Sequence, residues 1–198
     1  MTRASLEQRL VADGCNHRVS MMTYLVQWTR APCNLGTILA FDRDHFKKSK
    51  FTSSAYEFRP FSSSDARRSI RMRLYPSSHK VLVTGVTAQE DCSAACDALS
   101  RCLGDLEFDP PECQLININI ALPHSLGDIR HSPGIRFVER QEGHPAVIVH
   151  VATSRRIRKV LVYPKSGKIS LHVASFDEAT EIWDILQPSL TRGFPIQL

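Results

Sequence analysis

Between residues 70 and 103 the hydrophobic pattern of the chain changes period. Ile70, Met72 and Leu74 alternate with Arg71, Arg73 and Tyr75, and then Val81 and Val83 alternate with Leu82 and Thr84. A period of two belongs to strands whose faces meet different surroundings. Farther on, Cys92, Ala95, Cys96, Leu99 and Leu103 recur at helical spacing, which is the mark of a helix with one buried side. The predicted unit is a hairpin followed by a long amphipathic helix.

The same succession returns later in the chain. Tyr75-Pro-Ser-Ser-His-Lys80 and Tyr163-Pro-Lys-Ser-Gly-Lys168 share Tyr, Pro, Ser and Lys at a fixed offset of 88 residues, from 75 to 163. The same offset sets Thr87-x-x-Glu90 on Ser175-x-x-Glu178. Both read as capping boxes, in which a hydroxyl and a carboxylate satisfy the free amides that open a helix. Once one residue is dropped from the second copy, the helical stripe falls on Ala179, Ile182, Trp183, Leu186 and Leu190 at an offset of 87.

Upstream, Ser20-Met-Met-Thr-Tyr-Leu-Val-Gln-Trp28 and Gln114-Leu-Ile-Asn-Ile-Asn-Ile-Ala-Leu122 read as strands. Each leads into a short helical stretch, near Asn34 to Ala40 and Ser125 to His131. Phe108-Asp-Pro-Pro-Glu112 is the expected joint, because two prolines stop a helix. The expected organisation is a polar N-terminal tail over 1–18, a first repeat over 19–108 and a second over 109–198, the repeats together forming one domain. A sheet covered by helices on one side keeps its other side open, and function is to be sought on that open side.

Composition narrows the chemistry. With 198 residues, 42% hydrophobic and 23% charged, the chain is an ordinary globular one. Its apolar runs are far shorter than the ~20 residues that cross a bilayer, and its first residues lack the apolar core of a secretory signal. An intracellular protein with no membrane partner is expected. Cys15, Cys33, Cys92, Cys96, Cys102 and Cys113 include no C-x-x-C pair and no histidine at ligand spacing, so no metal is expected. Cys92, Cys96 and Cys102 read as small hydrophobes on or beside the helical stripe. Without a glycine-rich phosphate loop or a catalytic motif, the expectation is a non-enzyme with no cofactor and no small-molecule substrate. A net charge of +5 and a pI near 9.0 are compatible with a polyanionic partner. The basic runs Arg67-Arg-Ser-Ile-Arg-Met-Arg73 and Arg155-Arg-Ile-Arg-Lys159 recur at the same place in both copies. They suit phosphate contact or the protection of an exposed sheet edge. Asp42-Arg-Asp-His-Phe-Lys-Lys-Ser-Lys50 reads as a solvated loop.

Over residues 20 to 195 this pattern resembles the core of the TATA-box-binding protein family. Lys80-Val-Leu-Val-Thr-Gly85 and Lys168-Ile-Ser-Leu-His172 look like the family's Lys-x-Val-x-Thr-Gly strand. Ser166-Gly-Lys168 looks like its turn, and Pro188 followed by Gly193-Phe194 looks like the end of its last helix. Lys50-Phe51 and His144-Pro145 resemble the segments that carry the outer wedge residues. The short form is more similar to the TATA-binding-like proteins of large DNA viruses.

The resemblance implies an α+β saddle, in which two pseudo-symmetric repeats form one curved antiparallel sheet with helices on the convex face. It also implies a transcription initiation factor that binds duplex DNA, as at an AT-rich promoter, through its concave face in the minor groove. Wedge side chains then kink the duplex, and the unstacking cost is offset by the larger surface that bent DNA offers. The wedges carried over are Phe51 and Tyr75 in the first copy, His144 and Tyr163 in the second, so one of four remains phenylalanine. Strand phase puts Leu82, Thr84, Ser170 and His172 on the same face, with Arg73 beside Tyr75 and Leu161 beside Tyr163. Asn119 resembles one of the family's groove-reading asparagines, with Met22 as its first-copy counterpart. Arg71, Lys80, Arg156, Arg158 and Lys168 are the candidate phosphate contacts. Implied protein partners are general transcription factors or RNA polymerase subunits, in the nucleus or at a viral replication site or in the virion. Arg73, Ser170, His172 and His144 make the face wetter and more basic than the family's, which shifts affinity towards salt-dependent phosphate contact. Two other readings remain open: a protein-interaction adapter that kept the fold and lost the wedges, and a binder of single strands or RNA.

Overall fold

Each alternating stretch becomes a strand, and each helical stripe within reach becomes a helix, in a computed structural model that describes residues 2–32, 35–50, 52, 54–62, 64–104, 106–123, 133–140 and 142–190. The class is α+β, as expected, and every strand pairing with an assigned register is antiparallel. The helix expected over 125–131 lies outside the described residues. No helix among the described residues is long and apolar enough to cross a membrane.

The chain forms two compact units, one of Met21–Gln114 and one of Met1–Ser20 with Leu115–Leu198. In the first, strands β2 (Phe46–Lys48), β3 (Tyr56–Phe58), β4 (Arg71–Tyr75) and β5 (Lys80–Val86) follow one another, and β5 pairs with residues 22–27 of β1 (Asn16–Arg30). Helix α2 (Leu35–Phe41) packs on β2 and helix α3 (Gln89–Leu103) on β5. Tyr24, Val26, Met72, Leu74, Val81 and Val83 fill the helix-covered side together with Cys92, Ala95, Cys96, Leu99 and Leu103 of α3. Short strand β6 (Glu107–Phe108) pairs with the end of β1. In the second unit the order is β7 (Glu112–Ala121), β11 (Lys168–Val173), β10 (Ile157–Tyr163), β9 (Val147–Ala152), β8 (Ile135–Arg140). Helix α4 (Phe176–Leu190) packs on β11 and β9, burying Ala179, Ile182, Trp183 and Leu186.

The residue missing from the second copy can be located. Strands β5 and β11 begin 88 residues apart, at Lys80 and Lys168. Helices α3 and α4 each span 15 residues and begin 87 apart, at Gln89 and Phe176. Between them lies a bulge at Gly85, where the pairing with β1 jumps from Thr23↔Thr84 to Met22↔Val86. The extra residue therefore belongs to the strand, and the two capping boxes are not equivalent. Ser175 caps α4 by accepting the Glu178 N–H at 3.2 Å. Its counterpart at the start of α3 is Ala88, which makes no side-chain cap, and Thr87 lies one residue too early.

The expected tail over 1–18 is corrected by the structure. Residues Arg3–Ala12 form helix α1, which packs on α4 with Leu6 and Leu10 fully buried. The helix ends in a Schellman turn: Cys15 N–H donates to Leu10 O and Gly14 N–H to Val11 O, with Gly14 at φ +72°. Gly14 behind Leu6 and Leu10 was the sequence signal for this helix. Because α1 lies on the second copy's helix, residues 1–20 join residues 115–198, and the units are not the consecutive halves 19–108 and 109–198. Asp13 locks the junction, accepting Trp183 Nε1–H at 2.7 Å and Gln187 Nε2–H at 3.4 Å. Asp13→Ala leaves the buried indole donor unpaired, and a loss of about 1–3 kcal/mol is expected in urea unfolding. An unchanged midpoint would show that the contact carries no stability.

Candidate functional site

In each unit the side of the strands opposite the helices carries the candidate residues. In the unit of residues 21–114, antiparallel register lines up Lys47, Glu57, Arg73, Leu82 and Leu25 across five strands. Arg71 and Arg73 share this face with Leu82 and Thr84, because Met72, Val81 and Val83 between them point into the core. These four residues line a shallow cleft of about 230 Å³. Arg73 Nη2 lies 3.6 Å from Glu57 Oε1, which also accepts the Ser49 hydroxyl at 3.0 Å. Tyr75 ends β4 opposite exposed Lys80. Phe51 lies outside the described residues.

In the other unit the matching row is Glu139, Ile148, Leu161, Ser170 and Asn119. Asn119, Tyr163, Lys168 and Ser170 line one open cleft of about 530 Å³ with Asn16 and Arg18. The Ser170 hydroxyl donates to Asn119 Oδ1 at 3.0 Å and lies 3.4 Å from His172 Nε2. Its proton is thus directed to the amide oxygen and not to the imidazole, which makes a polar row on a strand face and not an activated nucleophile. The Asn119 amide group that remains outward is the NH₂ donor.

The structure revises the expectations for Met22 and Arg158. The first-copy counterpart of Asn119 is Leu25, since Asn119 pairs with Ser170 and Leu25 with Leu82. Met22 is buried on the helix side, in phase with Tyr24 and Val26 of the same strand. Arg158 shares the phase of Val160 and Val162 and so points to the helix side. There its Nε and Nη2 both donate to Glu178 at 2.6 Å, so it is not a free phosphate contact. Half-exposed Arg156 joins the same carboxylate through Nε at 3.2 Å. His144 sits in the β8–β9 turn, where its Nδ1 accepts the Ala146 N–H at 3.1 Å.

Burial pushes the Glu178 carboxyl up. The hydrogen bonds from Arg158, the Ala174 N–H and Arg156, with the Arg158 charge, outweigh this and hold its pKa at about 2. Glu178 is therefore the carboxylate that fixes the start of β10 to α4.

The open face of β8 and β9 was missed in the sequence. Phe137, 53% exposed, stacks on the His150 ring with centroids 3.7 Å apart, and His150 Nε2 lies 3.3 Å from Glu139 Oε2. The alternation of Phe137 and Glu139 with their neighbours was the available signal. Elsewhere, Asp42, His45 and Cys102 bring donor atoms within 4.8 Å of one another. The Asp42 carboxylate already accepts the His45 ring at 2.9 Å and the His45 N–H at 3.3 Å, so a local turn accounts for this grouping without an ion. Cys92 and Cys96 are core residues, as expected.

No protein-family model matches the chain, and no curated protein matches it. Among solved structures, Methanococcus jannaschii TBP is similar over 88% of this chain and 99% of that one, with a TM-score of 0.59 and 15% identity. The chain thus has a TATA-binding-protein-like α+β fold.

Proposed function

We propose that this protein is a TATA-binding-protein-like transcription initiation factor that grips duplex DNA through the open sheet faces, in the minor groove, and bends it. The observation that carries this reading is the shared cleft of Asn119, Tyr163, Lys168 and Ser170 on a sheet face of that fold. An aromatic ring, an amide donor and a cation suit a base step, the acceptors on its minor-groove edge and a phosphate respectively. Tyr75 and Lys80 repeat the ring and the cation in the other unit, where Leu25 stands in place of the amide. Its protein partners are general transcription factors or RNA polymerase subunits, in the nucleus for a cellular protein. For a viral one of this short form, the location is the replication site or the virion.

The test is energy transfer across short end-labelled duplexes, with AT-rich, GC-rich and single-stranded DNA compared over a salt titration. The end-to-end distance should shorten on AT-rich duplex, and Tyr163→Ala should remove most of the shortening. Arg71→Ala should lower the slope of log affinity against log salt by about 0.9, one phosphate contact. Binding with an unchanged end-to-end distance defeats this reading. Glu57 in the middle of one face favours a second: an adapter that binds a protein partner there, for which DNA binding would be weak, sequence-blind and confined to low salt. Tighter binding to the single strand than to either duplex would favour the third reading of single-strand or RNA binding.

A further inference from the structure

Helix α4 already has an occupant on its outer flank, and the repeat predicts where the second such flank lies. On α4, Trp183 and Gln187 donate to Asp13, Asp184 pairs with Arg9, and Leu6 and Leu10 of α1 are buried. Moving back 87 residues, the helix offset, turns Thr180, Trp183, Asp184 and Gln187 into Ser93, Cys96, Asp97 and Ser100. A hydroxyl bond repeated at both places supports the register: Thr180 to Phe176 O and Ser93 to Gln89 O. Those four α3 residues line a groove of about 390 Å³, walled on the other side by Leu106, Phe108 and Asp109.

We infer that this groove docks a basic amphipathic helix supplied by a protein partner, seated on α3 as α1 is seated on α4. Thr180, one turn before Trp183 and Asp184 on α4, is 1% exposed, whereas Ser93 is exposed. Cys96 stands where α4 has the much larger Trp183, so the groove has room for a bulkier apolar anchor than α1 offers. Its charged lining residues, Asp97 and Asp109, are both acidic and exposed. The occupant therefore has two leucine-sized or larger apolar anchors four residues apart and an arginine beside the second, the pattern of Leu6, Arg9 and Leu10. This surface is independent of DNA binding.

The probe is a fluorescein-labelled peptide of residues 2–14 of this chain, added to the full-length protein and followed by anisotropy. Saturable binding is expected with a dissociation constant on the order of 100 µM, since a helix this short must order as it binds. Asp97→Lys should weaken it at least tenfold, at about 1.4 kcal/mol per tenfold, and Ser93→Trp should block it, both with unchanged circular dichroism. Asp184→Lys should leave it intact. No saturation at millimolar peptide overturns the inference. So does binding that responds to Asp184→Lys but not to Asp97→Lys, which would mean exchange with the chain's own α1. Sedimentation showing a dimer that Asp97→Lys dissolves would assign the groove to a second copy and overturn it too.

Discussion

Replacing Glu178 with alanine is expected to cost about 3–5 kcal/mol, the range for breaking a buried ion pair from one side. Glu178 is 6% exposed and accepts both donors of Arg158 at 2.6 Å, Arg156 at 3.2 Å and the Ala174 N–H at 2.8 Å. Without it, Arg158 stays under α4 with no counter-charge, and the first turn of the helix loses its tie to β10. The same carboxylate makes the protein acid-sensitive. Its folded pKa of about 2 lies below its ordinary 4.5, so its contribution is complete above about pH 5. That contribution is lost as the pH falls from about 4.5 towards 2, and it amounts to about 3 kcal/mol. Urea titrations at pH 7 and pH 3 should show the wild type losing more stability than Glu178→Gln between the two. Equal losses would remove Glu178 from the acid response.

Gly85→Ala is the second large effect, expected at about 2–5 kcal/mol from positive-φ strain combined with overpacking. The backbone there has φ +83°, and a Cβ would come within 2.5 Å of the Ser69 carbonyl oxygen. That oxygen is backbone, so relief requires the bulge to rearrange and the register with β1 to slip. A slip would break the Leu25–Leu82 pairing that carries the open-face row onto β1. Thermal unfolding and proteolysis of the β1–β5 pair would both register the change. Gly85 has no counterpart in the other unit, where Val173, fully buried with no bulge, corresponds to Val86. Val173→Gly there should destabilise by cavity formation, because the strand has no bulge for a glycine to serve.

Local pattern placed the open-face side chains well in the strands and poorly at their ends. Arg71, Arg73, Tyr75, Leu82 and Thr84 alternate strictly with buried neighbours, and their orientation was readable. Arg158 lies in an equally alternating strand, yet its basic run suggested solvent. Its role was hidden because the partner, Glu178, is 20 residues away and had been read as a helix cap. Asn119 was placed correctly, but its counterpart was not, since register rather than position along the strand selects Leu25.

The period-two strands, the long amphipathic helices and the buried sides of β4, β5 and β11 were determined by the sequence alone, because periods of two and 3.6 are local properties of the backbone. Only the tertiary structure decided that the extra residue of the first copy is Gly85, that residues 1–20 belong with the second copy, and that Arg158 and Glu178 neutralise one another. Each of these depends on which distant segment lies opposite, and hydrophobic period carries no information about the identity of the neighbour.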